Sequence, residues 1–181
     1  MQPLLLLVLT SIYFMLPAYA ANMAPVFIKK IITHDYPLDF GQSFHGQRIF
    51  GQHKTFEGFI AGILGGIVMA YVQHLLSPVS FFSALSVLPY SSWLIMGSLF
   101  GFGSMMGDLL KSFFKRRIGI SAGKRWLFFD QLDFVLGSFL CILPFFAVPG
   151  TIMLMSIILS FFWDIIVDHV GYWIGMRKEK W

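Results

Sequence analysis

Five apolar stretches take up most of this chain, near positions 3–27, 57–77, 88–107, 127–148 and 151–175, and no Lys or Arg lies inside any of them. A helix needs about 20 apolar residues to cross a hydrocarbon core. Backbone inside a bilayer must satisfy its own hydrogen bonds, which leaves helices or closed barrels, and stretches of this length fit helices. The expected fold is therefore an all-α integral membrane protein with five transmembrane helices. It forms one membrane domain over residues 1–181, with loops at 28–56 and 108–126. A mean hydropathy of +0.74 and only 12% charged residues exclude an ordinary soluble domain, where roughly 25% would be charged.

The thirteen Lys and Arg residues orient that fold. They fall at 29–54, 111–125 and 177–180, and the connections near 77–82 and 147–151 carry none. With five crossings, all thirteen share one side of the membrane. Basic loops stay cytoplasmic, so the N-terminus is expected outside the cell membrane and the C-terminus and basic loops in the cytoplasm. Ala18-Tyr19-Ala20 imitates a signal-peptidase site, but no basic residue precedes Leu4 and the apolar run continues through Phe27. The expectation is a retained first helix, kinked or unwound near Pro17. Asn22, near its inner end, is either a local cap or a group pointing into a polar cavity. Cys141, the single cysteine, reads as a small core residue.

The first basic loop ends in Gly51-Gln52-His53-Lys54-Thr55. Its glycine spacing breaks the GxxxxGK[ST] pattern, and no strand precedes it, so a P-loop is excluded. A Lys-Thr pair beside glycines can still bind phosphate oxygens through charge and backbone N–H groups. Gly58, Gly62, Gly65 and Gly66, and then Gly97, Gly101, Gly103 and Gly107, supply the small residues that let membrane helices approach closely. The run 78–91, with Pro78 and Pro89, reads as an outer connection or short interfacial piece.

The segment from Asp108 to Asp133 holds the chemistry. Asp108 closes the third stretch, and Asp130 and Asp133 open the fourth, three apart and so on one helix face. Lys111, Lys115, Arg116, Arg117, Lys124 and Arg125 lie between them. Acids near hydrocarbon are costly and functional by default. They could pair with Lys111, Arg116 or Arg117 as salt bridges. Alternatively they hold Mg²⁺, which takes carboxylate oxygens and keeps waters and substrate phosphates as its other ligands. Three acids beside six cations favour the metal–phosphate reading. The basic cluster alone would equally serve anchoring or attraction to anionic head groups. Asp164 and Asp168, four apart, and His169 could line a cavity, relay protons, bind an ion or pair with inner-loop cations.

Ser112-Phe113-Phe114-Lys115-Arg116 followed by Asp130-Gln131-Leu132-Asp133 resembles the signature of cytidylyltransferases that make CDP-lipids. The chain is most similar to the CDP-archaeol synthase family of that superfamily. The resemblance spans nearly its whole length: Pro17 to Asn22, Leu38-Asp39-Phe40-Gly41, Arg48 to Gly58, Gly107 to Arg117, Phe129 to Gly137 and Tyr172 to Trp181. The His-Gly-Gly element of the larger phosphatidate enzymes is absent, and a short Gly123-Lys124-Arg125-Trp126 stands before Asp130.

The resemblance implies a reaction in which CTP and a lipid phosphate give a CDP-lipid and pyrophosphate. It implies one or two Mg²⁺ ions held by Asp108, Asp130 and Asp133. Lys111, Lys115, Arg116 and Arg117 would neutralise phosphate charge, and Asn22, Lys54, Thr55 and Ser112 would serve the nucleotide. No Ser or Cys nucleophile is needed, because a lipid phosphate is already anionic. The partners are CTP, a membrane lipid phosphate and the bilayer, with no nucleic acid; the oligomeric state is left open. The lipid is 2,3-di-O-geranylgeranylglycerol-1-phosphate or a related phosphatidic acid, which present the same phosphate. A small ion or solute transporter using Asp164 and Asp168 is the first competing reading. No inverted repeat supports it, and the polar residues crowd one surface. A non-enzymatic protein binding anionic lipids is the second.

Overall fold

The computed structural model describes residues 3–32, 36–121, 124, 126 and 128–173, with the backbone alone at 164 and 167–172. Six α-helices dominate it: α1 (Leu4–Ile28), α2 (Phe56–Leu76), the short α3 (Ser80–Ala84), α4 (Trp93–Arg117), α5 (Phe129–Ile142) and α6 (Gly150–Trp173). Among the described residues, three segments are long and apolar enough to cross a membrane, namely Leu4–Ile28, Phe56–Leu76 and Tyr90–Arg117, and Gly150–Trp163 is a shorter apolar stretch. The 14 residues of α5 rise about 21 Å, less than the ~30 Å of a hydrocarbon core.

The first helix runs on through Pro17, so of the two expected alternatives there, a kink or an unwinding, the unwinding does not occur. A proline has no N–H for the carbonyl four residues back, which here belongs to Tyr13. Gln73 of α2 takes that place, its Nε2 donating to the Tyr13 carbonyl at 2.5 Å. The freed backbone group becomes a link between two helices.

Helix α4 is the centre of the bundle and packs against α1, α2 and α5. Phe14, Phe100, Phe134, Met15, Met96 and Ile142 fill the fully buried middle. Glycines set the closeness of α4 and α5. A methyl group at Gly137 would lie 2.8 Å from the Gly107 Cα, and one at Gly103 would lie 2.8 Å from the Ser138 Cα. Both positions therefore require glycine for backbone to meet backbone. Hydroxyl bonds add to this packing: Ser138 Oγ donates to the Phe100 carbonyl at 3.3 Å, and Tyr19 Oη and Ser160 Oγ lie 2.7 Å apart between α1 and α6.

One boundary differs from expectation. The helix expected to end near 107 continues to Arg117, so the loop expected over 108–126 starts only after it. Lys115, Arg116 and Arg117 in its last turn suit the negative end of a helix dipole. The run 78–91 contains α3 and a 3₁₀ turn at Tyr90–Ser92.

The first basic loop is folded into a small unit with two short strands ahead of Gly51, which corrects the expectation that no strand precedes it. The broken glycine spacing still sets it apart from a P-loop. Strands β1 (Ser43–Phe44) and β2 (Gln47–Arg48) pair antiparallel, Ser43 with Arg48 and Phe44 with Gln47. His45 and Gly46 between them have φ of 51° and 76°, the left-handed pair that a tight two-residue hairpin turn requires. Thr55 caps α2, its Oγ1 accepting from the Gly58 N–H at 3.2 Å.

Candidate active site

Three helix-borne acids meet at one end of the α4–α5 contact. The close approach at Gly107 and Gly137 brings Asp133 of α5 against α4, where Asp108 and Lys111 are one turn apart. The Lys111 Nζ lies 3.1 Å from Asp108 Oδ1, 3.3 Å from Asp130 Oδ1 and 2.5 Å from Asp133 Oδ2. Lys115 Nζ adds bonds of 3.0 Å to both oxygens of Asp130 and one of 2.5 Å to the Lys124 carbonyl. Lys54, from the end of the folded loop, pairs with Asp108. Asp133 is the most enclosed of the three acids, its side chain 6% exposed. Asp130 also accepts the Trp126 N–H at 2.6 Å, which fixes the chain entering α5.

The five other residues nominated from sequence occupy different settings. Lys54 and Thr55 line a pocket of about 50 Å³ with His53, Gly58 and Asp108, although the Thr55 hydroxyl also serves as the α2 cap. Ser112 and Arg116 are buried on α4, and Arg116 Nε has no hydrogen-bond partner among the described residues. Asn22 is half-buried on α1. Arg117 is committed elsewhere: it donates to the carbonyls of Phe44, Gln47 (3.2 Å) and Arg48 (2.8 Å). Its guanidinium also lies 5.3 Å from the Phe44 ring and 5.1 Å from the Phe113 ring. Of the three cations weighed as salt-bridge partners, only Lys111 forms an ion pair with these acids among the described residues. The side chains of Asp164, Asp168 and His169, and residues Gly123 and Arg125, lie outside the described ones.

Sequence reasoning gave no role to Asp39, yet it organises the loop that carries Lys54. Its buried carboxylate pairs with Arg48 and accepts the N–H groups of Gly41 (3.0 Å), Phe50 (3.2 Å) and Gly51 (3.1 Å). Burial pushes its pKa up. The Arg48 bond and the backbone donors of Gly51, Gly41 and Phe50 outweigh that and hold it below the ordinary carboxylate value. The available sign was a lone acid followed by glycine in Leu38-Asp39-Phe40-Gly41, next to a basic strand.

A groove of about 570 Å³ runs along α4 and α5 beside the cluster. Leu110, Phe114, Phe129, Leu136 and Leu140 line it, and the charged groups on its wall are Lys111 and Asp133. Each of those five apolar side chains is largely exposed on the outer face of the bundle. At the loop end Phe128 takes a positive φ of 69° and stacks on Phe161 of α6 with centroids 5.7 Å apart. Carboxylate oxygens, ammonium groups and an apolar channel therefore share one place. Carboxylate oxygens are the donors a hard divalent cation takes, but among the described residues no group of three acids, histidines or cysteines is arranged to hold one. The point on which the three acids converge is held by the Lys111 ammonium.

Comparison with known proteins gives a consistent result. A family model described as CDP-archaeol synthase (CarS-like) matches residues 4–181. A CDP-archaeol synthase of Archaeoglobus fulgidus is 32% identical over 180 residues, 97% of this chain and 98% of that protein. One from Methanoculleus marisnigri is 35% identical over 174 residues, 92% of this chain and all of that protein. One from Saccharolobus islandicus is 35% identical and covers 96% of each. A solved structure of an intramembrane enzyme for archaeal membrane lipid biosynthesis superposes with a TM-score of 0.70 at 27% identity, covering 87% of this chain and 91% of that one.

Proposed function

The chain belongs to the CDP-archaeol synthase family, and from that premise we propose that it transfers CMP from CTP to a lipid phosphate. A lipid phosphate oxygen attacks the α-phosphorus of CTP, the bond from that phosphorus to the bridging oxygen breaks, and pyrophosphate leaves. The substrate is an unsaturated ether-linked isoprenoid glycerol phosphate or a related phosphatidic acid. The single observation that carries this reading is the meeting of Asp108, Asp130 and Asp133 with Lys54, Lys111 and Lys115 at the side of an apolar groove.

Each part of the site has a role in that transfer. The groove between α4 and α5 takes the lipid chain, which leaves its phosphate at Lys111 and Asp133. Lys54, presented by the folded loop with His53 and Thr55, meets the triphosphate from the other side of Asp108. Lys115 and Arg116 supply further positive charge. Arg117 contributes indirectly, by clamping the hairpin of the loop whose far end carries Lys54. Asn22 and Ser112 complete the nucleotide side. Asp108, Asp130 and Asp133 are the residues that would hold Mg²⁺ once Lys111 gave up their oxygens, and the ion would supply neutralisation of triphosphate and pyrophosphate charge. Phosphoryl-type transfers rest mainly on such positioning and charge neutralisation, and no side-chain nucleophile is required.

The topology follows the basic residues. Five crossings put the N-terminus outside and the site at the cytoplasmic face of the cell membrane, where CTP arrives from water and the lipid from the bilayer. Family membership displaces the transporter and passive-scaffold readings. The test is to incubate purified protein in detergent with labelled CTP, Mg²⁺ and a panel of lipid phosphates, ether-isoprenoid and ester-acyl. Mg²⁺-dependent CDP-lipid that is lost in Asp133→Asn is the expected result. No product from folded protein with any lipid overturns the assignment.

A further inference from the structure

Among the described residues, every carboxylate of the cluster is already paired with a cation of the protein's own. Lys54, Lys111 and Lys115 stand against Asp108, Asp130 and Asp133, three cations with three carboxylates. Lys111 has the central place, within 3.3 Å of an oxygen of every one of the acids. Those are the oxygens a divalent ion would need. A lone divalent ion added to this set leaves positive charge in excess in a partly buried site, where uncompensated charge is unfavourable. A divalent ion arriving on a nucleoside triphosphate brings more negative charge than positive, so the lysines gain partners as the acids change theirs.

Lys111 also has somewhere to go. Its side chain forms part of the groove wall along with Asp133, and a lysine is a point charge on a flexible four-carbon stem with three rotatable donors. We propose that Lys111 is a tethered counter-cation. It keeps the three carboxylates closed to a lone divalent ion and yields them when the metal comes with the triphosphate, its ammonium then turning to phosphate oxygens at the mouth of the groove. The proposal rests on the cytidylyltransferase reading. It makes metal and nucleotide binding cooperative and reciprocal, and it keeps the carboxylates from being loaded by metal alone.

Mn²⁺ binding, followed by the electron paramagnetic resonance of the free ion, tests this without any turnover. Wild type, Lys111→Met, Lys111→Gln and Lys111→Arg are titrated with Mn²⁺ in detergent with no nucleotide, after thermal melts confirm folding. Wild type and Lys111→Arg, which keep the positive charge, bind Mn²⁺ weakly. Lys111→Met and Lys111→Gln bind it more tightly, on the order of 10- to 100-fold, while losing affinity for the lipid phosphate. A merely structural lysine predicts the opposite, with metal affinity falling as the carboxylates spread apart. Tight Mn²⁺ binding by wild type alone overturns the proposal with no variant needed. So does a neutral variant that folds, makes CDP-lipid and binds Mn²⁺ no better than wild type, and that result leaves the cytidylyltransferase reading standing. Failure of the wild type to bind labelled CTP with Mn²⁺ overturns both.

Discussion

Lys54 and Asp108 are 54 positions apart in the chain and form an ion pair that joins the folded inner loop to the central helix. Lys54→Ala leaves Asp108 with Lys111 as its remaining ionic partner and releases the loop end from α4. Truncating one partner of a largely enclosed charge pair costs about 2–5 kcal/mol. We expect kcat/KM for CTP to fall by about 100-fold, with Lys54→Arg recovering part of it. Steady-state kinetics at varied CTP and fixed lipid phosphate check this.

Gly137→Ala tests the closeness of α4 and α5. Its methyl group would meet backbone atoms of Gly103 and Gly107, which have no rotamer to turn away. Overpacking of this kind costs about 1–3 kcal/mol. The melting temperature in detergent should drop by several degrees, and activity should fall further than stability because Asp133 moves away from Lys111.

Arg117→Ala separates a clamp from a phosphate ligand. Three carbonyl bonds and the Phe44 ring tie this side chain to the hairpin, and it also lies over the Phe113 ring of its own helix. Its loss should destabilise the loop by about 1–3 kcal/mol. Lys would not restore it, since an ammonium lacks the planar fork. Hydrogen exchange over residues 36–55 should rise in both variants. A loss of activity with unchanged exchange would return Arg117 to the phosphate site.

The Asp39 carboxyl links loop stability to pH. Its folded pKa lies below the ordinary carboxylate value, so its contribution is fully present above the unfolded value of about 3.9. It is lost as pH falls through the lower, folded value. Protection factors for the amides of Gly41, Phe50 and Gly51 should stay level from pH 7 to 5 and decline below about 4. Asp39→Asn should start low at pH 7 and show no such decline.

The residues that carry charge into apolar surroundings were legible in the sequence. Asp108, Asp130, Asp133, Lys111 and Lys115 all meet in one cluster, because an acid beside hydrocarbon is a local signal that needs no knowledge of the fold. The intact first helix was not legible. Whether Pro17 breaks it depends on Gln73, more than fifty positions away, offering a donor to the Tyr13 carbonyl. Arg117 was read as one more phosphate ligand because a run of three basic residues gives no sign of which one turns toward a hairpin. The role of Asp39 was hidden for a similar reason: its partners are backbone N–H groups placed by a turn, and backbone groups look the same in every sequence. The extension of α4 to Arg117 was missed because the first charge, Asp108, was taken as the end of the helix.

The apolar groove along α4 and α5 has walls turned outward, with Leu140 71% and Phe114 52% exposed. In a bilayer such a surface faces lipid chains. A tailed molecule held there is solvated on one side by protein and on the other by its own membrane, so it can arrive and leave by sliding sideways. Neither the lipid phosphate nor the activated product has to be lifted into water. Exchange is then a two-dimensional diffusion problem, set by lipid density in one leaflet and by collisions with whatever enzyme takes the activated lipid next.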